Sequence, residues 1–226
     1  MRFLWQQIPS TIVSEIFCNT KFDGVILDTE HSPYNYESLF TCIQVIKLKN
    51  KICYVRLAHL DKILAKMCLD AGCDGLIFST VETKEQSDEI INYCRYPHFG
   101  GKRGQGLNRE NNWGEQKLGN SNPHIIAQIE TIEAVKNLDQ ILKCNFDKFL
   151  IGPYDLSASL GCTEKFDHPN YLDSIDKILS KIPVEKLGIH IPKNVEKHIK
   201  KYENFNFLAL GMDTTLIIEK IEDFYE

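Results

Sequence analysis

The chain has 226 residues, 43% hydrophobic and 25% charged, with 26 Lys and Arg against 31 Asp and Glu. That balance suits a folded globular chain and excludes general disorder. The net charge of −5 argues against a nucleic-acid surface, which needs a clustered excess of Lys and Arg. No apolar run approaches the roughly 18 residues of a membrane span, so no membrane partner is expected. The start Met1-Arg2-Phe3-Leu4-Trp5 lacks a long apolar core before a small-residue cleavage site, so no signal peptide is read. The length suits one domain over residues 1–226.

Short apolar runs alternate with longer amphipathic stretches. The runs cover residues 3–8, 24–28, 53–57, 75–79, 125–129, 148–151, 187–191 and 207–210. Most are apolar at consecutive positions, as expected of strands buried on both faces. Helical patterns follow at 10–18, 36–48, 60–71, 83–93, 131–142, 171–181, 194–202 and 215–224. Alternating β and α elements imply a parallel sheet. Eight such units at this length predict an α/β fold, a single (β/α)8 TIM barrel, rather than an open doubly wound sheet. No G-x-G-x-x-G follows the first strand, which weakens the dinucleotide-binding alternative. The long irregular stretch 97–123 is expected to be a lid or an interface element. The eight cysteines contain no C-x-x-C pair and sit mostly among apolar residues, as in Ile52-Cys53-Tyr54-Val55. They are read as reduced core residues of a cytoplasmic protein.

In such barrels the active site lies at the C-terminal ends of the strands. Those ends are polar here: Asp28-Thr29-Glu30-His31, Arg56, Gln128-Ile129-Glu130, Gly152-Pro153-Tyr154-Asp155, His190 and Asp213. Glu130 and Asp155, on adjacent strands, suit one hard divalent cation; alternatively each caps the following helix. Arg56 suits a carboxylate or a developing enolate oxygen; it fits a buried ion pair with Asp28 or Glu30 equally well. His31 is a candidate general base or an exposed loop histidine. Gly152-Pro153 lets the amides beyond it approach an anion, or forms an ordinary tight turn.

The same residues carry a resemblance. Phe22-Asp23-Gly24, Leu27-Asp28-Thr29-Glu30-His31, Val55-Arg56, Leu69-Asp70-Ala71-Gly72, Arg95-Tyr96-Pro97, Arg103-Gly104, Gln128-Ile129-Glu130-Thr131, the segment from Ile151-Gly152-Pro153-Tyr154-Asp155 to Gly161, and Leu210-Gly211-Met212-Asp213 occur in order over nearly the whole chain. This pattern resembles the metal-dependent class II pyruvate aldolases of the HpcH/HpaI aldolase/citrate lyase family. The resemblance implies reversible cleavage of a 4-hydroxy-2-oxo acid to pyruvate and an aldehyde. It implies that Glu130 and Asp155 bind a divalent metal (Mg²⁺, Mn²⁺ or Co²⁺). Gln128 and the backbone of Gly152, Pro153, Tyr154 and Asp155 would hold pyruvate, with Arg56 on the enolate. His31 would be the base, and Asp70 would raise its basicity. It also implies a homo-oligomer, a trimer or hexamer.

The chain departs from the family pattern in four places. It opens on its first strand where relatives often have a preceding helix. Tyr154 stands where a small residue is common, and Phe78-Ser79-Thr80 replaces a more usual small-Pro-Met segment. Asp70 ends a helix that should run away from the active face, so its implied role requires contact across subunits. No lysine sits at a strand end, which argues against an imine-forming aldolase. The rivals are a citrate-lyase-like enzyme on a CoA ester and a catalytically silent barrel used for assembly.

Overall fold

The computed structural model of the protein describes residues 1–117 and 122–225. Eight parallel strands close into a barrel in chain order: β1 Arg2–Gln6, β2 Gly24–Asp28, β3 Ile52–Leu57, β4 Gly75–Phe78, β5 His124–Ile129, β6 Lys148–Ile151, β7 Leu187–Ile191 and β8 Phe207–Met212. Closure pairs β1 with β8, with an irregularity in register between Leu4 and Trp5. Around the strands lie α1 Thr11–Cys18, α2 Tyr36–Leu48, α3 Lys62–Asp70, α4 Lys84–Cys94, α5 Ile132–Lys136, α6 Leu138–Ile141, α7 Pro153–Ser159, α8 Pro169–Lys181, α9 Val195–His198 and α10 Asp213–Glu222.

The consecutive apolar pattern has a direct cause. Successive side chains on a strand point to opposite faces, and here both faces are buried. Phe3, Trp5, Ile26, Tyr54, Ile77, Ile126, Leu150, Phe207 and Ala209 fill the barrel interior. Their neighbours Val25, Leu27, Val55, Leu76, Ile125, Ala127, Phe149 and Ile151 pack outward against the helices. All eight cysteines are free and buried, and Cys53, Cys68, Cys73 and Cys94 belong to that outer layer.

Two positions beyond an inward residue, the chain again points inward. Ile26 is followed by Asp28, Tyr54 by Arg56, Ile77 by Ser79, Ile126 by Gln128 and Leu150 by Gly152. The apolar interior therefore ends in a polar layer at the C-terminal mouth. Asp28, Arg56, Ser79 and Gln128 are all buried there.

Three expectations need correction. No helix is expected between the sixth strand and the pattern at 171–181, but one is present. Pro153, whose missing N–H and fixed φ suit a first helical position, opens α7 directly after β6. The pattern over 131–142 is two short helices, divided at Asn137. The described residues of the stretch 97–123 form no lid over the mouth: they lie between the end of α4 and the start of β5, at the N-terminal end of the barrel. There Arg103 pairs with Asp70 at 2.8 Å and with Glu110 at 2.5 Å, and Arg109 donates to the Ala71 carbonyl at 2.9 Å. Residues 118–121 of that stretch lie outside the described residues.

Ile126 is fully buried in the interior cluster. Ile126→Ala should cost about 2–5 kcal/mol, since the closed wall around it cannot collapse into the space left. Urea unfolding followed by circular dichroism checks this.

Candidate active site

Arg56 anchors one side of the mouth. Its Nε donates to Asp28 Oδ1 at 2.9 Å and its Nη2 to Asp28 Oδ2 at 2.8 Å. Nη1 lies 2.8 Å from Glu30 Oε2. Burial alone would raise the Asp28 carboxyl, but the Arg56 hydrogen bonds and charge outweigh it and hold the group at about 2. The ion pair read as one option for Arg56 therefore exists, with both Asp28 and Glu30. It does not remove the guanidinium from the mouth: the pair fixes its plane there, 4.7 Å from the centre of the Trp5 ring.

Glu130 follows β5 and is buried. It does not cap α5; Thr131 does, accepting from the Ala134 amide. Glu130 Oε1 instead accepts from the Thr80 amide at 2.6 Å and the Thr80 hydroxyl at 3.1 Å, while Gln128 Nε2 donates to Oε2. These donors are neutral. Burial, reinforced by the charges of Glu30 and Asp155, pushes its carboxyl up to about 7 against the opposing Thr80 hydrogen bond and Arg56 charge. Thr80 reaches Glu130 from a left-handed backbone, φ +52°, which is unfavourable for a β-branched residue.

Asp155 lies in the first turn of α7 and is exposed. Gly152 is the N-cap of that helix and receives no side-chain capping bond. A Cβ at Gly152 would come within 2.7 Å of Gln128 Nε2 and of Glu130 Oε2. The glycine thus keeps open the space beside the carboxylate. Two hard oxygen donors on neighbouring strand ends, one of them buried among neutral partners, fit a divalent cation that also takes oxygen from substrate or water. Among the described residues no cluster of three or more His, Cys, Asp or Glu forms a complete protein-only metal site.

The remaining candidates divide. His31 is exposed at the rim, with Nε2 3.8 Å from Glu30 Oε2. The Tyr154 ring packs against Phe166 at 5.3 Å, and Pro153 is buried. Asp70 is at the opposite end of the barrel, held by Arg103, and does not meet His31 within one chain. Asp213 binds the Gln7 and Ile8 amides at 2.9 and 2.8 Å and so ties the end of β1 to α10. His190 stacks on Trp5 at 4.0 Å. Sequence reasoning missed Thr80 and Ser79, whose hydroxyl donates to Glu30 at 2.7 Å. Their signal was present, as two hydroxyl residues directly after β4 where the family pattern has a small-Pro-Met segment.

The (β/α)8 barrel and its relatives place the chain among the carbon–carbon lyases. The chain belongs to the HpcH/HpaI aldolase/citrate lyase family, whose model matches residues 2–220. It is 32% identical over 228 residues to a 4-hydroxy-2-oxo-heptane-1,7-dioate aldolase of Escherichia coli, covering 97% of this chain and 87% of the relative. It is 30% identical over 229 residues to a 2-keto-3-deoxy-L-rhamnonate aldolase of Klebsiella pneumoniae, covering 97% and 85%. Its fold is similar to that of an HpcH/HpaI aldolase/citrate lyase family protein from Burkholderia cenocepacia. The TM-score is 0.88 at 20% identity, over 99% of this chain and 92% of the other.

In the metal-free protein the raised Glu130 carboxyl binds a proton more tightly when folded than when unfolded. Its contribution to stability is therefore full below about pH 4.5 and is lost as pH rises toward 7. Glu130→Gln should flatten that decline. Above pH 7.5 the variant should be more stable than the parent, by at most about 3 kcal/mol. Denaturant titrations in chelator at several pH values check this.

Proposed function

We propose that the protein is a class II aldolase that reversibly cleaves a 4-hydroxy-2-oxo acid to pyruvate and an aldehyde. The observation that carries this reading is Glu130, a buried carboxyl bonded by neutral donors beside the charge of Asp155. Glu130 and Asp155 would hold Mg²⁺, Mn²⁺ or Co²⁺. When bound, such an ion supplies Lewis-acid polarisation of the substrate's 2-oxo group.

The chain's own residues do the rest. Gln128 and the backbone from Gly152 through Pro153 and Tyr154 to Asp155 frame the pyruvate half. Arg56, oriented by Asp28, meets the enolate oxygen as negative charge develops there. In cleavage His31 takes the proton of the 4-hydroxyl, the C3–C4 bond breaks, and the aldehyde leaves. The bonding electrons pass into the enolate, and protonation at C3 then gives pyruvate. Asp70 acts on His31 only from a neighbouring copy, which accords with a homo-oligomer, a trimer or hexamer. The two named aldolase relatives and the eight free, buried cysteines suit a cytoplasmic enzyme of small-molecule metabolism. No helix among the described residues is long and apolar enough to cross a membrane.

A screen of aldehydes with pyruvate and Mn²⁺, read by mass spectrometry, tests the reading; no aldol product from any aldehyde would refute it. Glu130→Ala and Asp155→Ala should each nearly abolish turnover in a folded protein. Chelation should silence the parent enzyme and added Mn²⁺ restore it. Full activity in thorough chelator would overturn the metal assignment.

Arg56→Lys should lose about 100–1000-fold in kcat, because an ammonium cannot reproduce the paired, oriented donors. Steady-state cleavage assays decide, and near-normal turnover would make Arg56 structural. His31→Ala should lose about 100–10,000-fold in cleavage while pyruvate still binds. A pyruvate titration and a cleavage assay on one sample separate the two steps.

A further inference from the structure

His190 is the polar residue of the mouth that the proposed reaction leaves without a task. It lies on β7, paired in register with Ala209 of β8. On the other side of β8, Phe3 of β1 is paired with the same Ala209. The small inward side chain of Ala209 lets His190 reach across β8 to Trp5. The two rings stack with centroids 4.0 Å apart and planes 14° from parallel. Together they form a wall along β7, β8 and β1. Glu130, after β5, stands across the barrel from β1.

The imidazole has no partner. Its Nε2 is enclosed and makes no hydrogen bond. Nδ1 also makes none among the described residues, yet it is not one of the enclosed unpartnered atoms. The residue as a whole is half-buried. Nδ1 is therefore the nitrogen open to the mouth. Burial, with the Arg56 charge adding to it, pushes the ring down to about 3, so it stays neutral at working pH and cannot serve as an acid–base group. A histidine kept for packing would bring a partner for its nitrogens, and a leucine would line the same wall without the polar cost. Nε2 stays unpartnered inside the wall, whereas Nδ1, on the open side, takes its partner from outside the chain, water or a polar group of a bound substrate.

We propose that His190 contacts the substrate, taking a hydroxyl group on its aldehyde-derived half, and so sets a preference for hydroxylated over alkyl aldehydes. This rests on the aldolase reading, which assigns the pyruvate half to Glu130, Asp155, Gln128 and Arg56 and leaves the rest of the substrate to the Trp5–His190 wall. A hydroxyl satisfies Nδ1 in either tautomer, because it both donates and accepts. An alkyl group satisfies neither tautomer. A carboxylate, which only accepts, satisfies Nδ1 only in the tautomer that carries the proton there.

Glycolaldehyde and propanal test this, since they have the same heavy-atom count and differ by a hydroxyl in place of a methyl. The quantity to read is the ratio of their kcat/KM values with pyruvate and Mn²⁺. Comparing that ratio between parent and variant cancels the aldehydes' intrinsic reactivity. His190→Phe removes both nitrogens and keeps a ring against Trp5, and His190→Leu serves if the larger ring prevents folding. The ratio should fall roughly tenfold, the worth of one neutral hydrogen bond. His190→Asn, which restores a polar tip, should recover part of it. An unchanged ratio in the folded Phe or Leu variant would overturn the proposal and leave His190 a packing residue. Exchange of the pyruvate methyl protons in D₂O by the parent enzyme separates the two readings. Exchange without use of either aldehyde would overturn the acceptor assignment alone. Neither exchange nor aldol turnover would overturn both.

Discussion

The bidentate pair between Arg56 and Asp28 is the interaction on which the mouth of the barrel depends. Both groups are buried, and a buried charge without its partner is strongly destabilising. The pair joins the ends of β2 and β3, in register at these two residues. Asp28 also accepts from the Gln7 side chain and the Glu30 amide, so one carboxylate ties together β1, β3 and the loop bearing His31. The guanidinium is left pinned in place, with Glu30 and the Trp5 ring against it. A cation held this way needs little reorganisation when negative charge appears in front of it.

Across the same opening a second carboxyl is treated in the opposite manner. Asp28 is held at about 2 by a full positive partner, whereas Glu130 is raised to about 7 among neutral donors. Environments that push like groups apart assign them different work. One serves as a permanent anion that orients a neighbour. The other gains most from a cation arriving from outside. The left-handed Thr80 and the bare Gly152 are local costs in backbone freedom that make this second environment possible.

Much of this architecture was legible in the sequence because burial on both faces leaves a blunt signal. Runs such as Val25-Ile26-Leu27 and Ile125-Ile126-Ala127 marked strands with little ambiguity, and the polar residue after each marked the mouth. What was not legible depended on direction or on distant partners. Gly152-Pro153 reads equally as a turn or as a helix start. The length of the stretch 97–123 alone suggests a lid, although its place between a helix and the next strand already puts it at the end opposite the mouth, where Arg103 anchors it on Asp70. His190 was visible as a polar strand residue, but its stacking on Trp5 depends on the small Ala209 between them, a three-strand relation that no local pattern carries. Thr80 was visible only as part of the segment that departs from the family pattern; its hold on Glu130 depends on a left-handed backbone, φ +52°, which no local pattern carries.

The buried cysteines have a consequence for how the molecule can be watched. Burial raises the thiols of Cys53, Cys68, Cys73 and Cys94, so the reactive thiolate is scarce in the closed protein. These four belong to β3, α3, the turn into β4 and α4, one contiguous part of the helical shell. A small alkylating reagent meets them only when that part opens. The chain therefore carries its own reporters of breathing, and the order in which its native thiols are modified is a record of which units of the barrel come apart first.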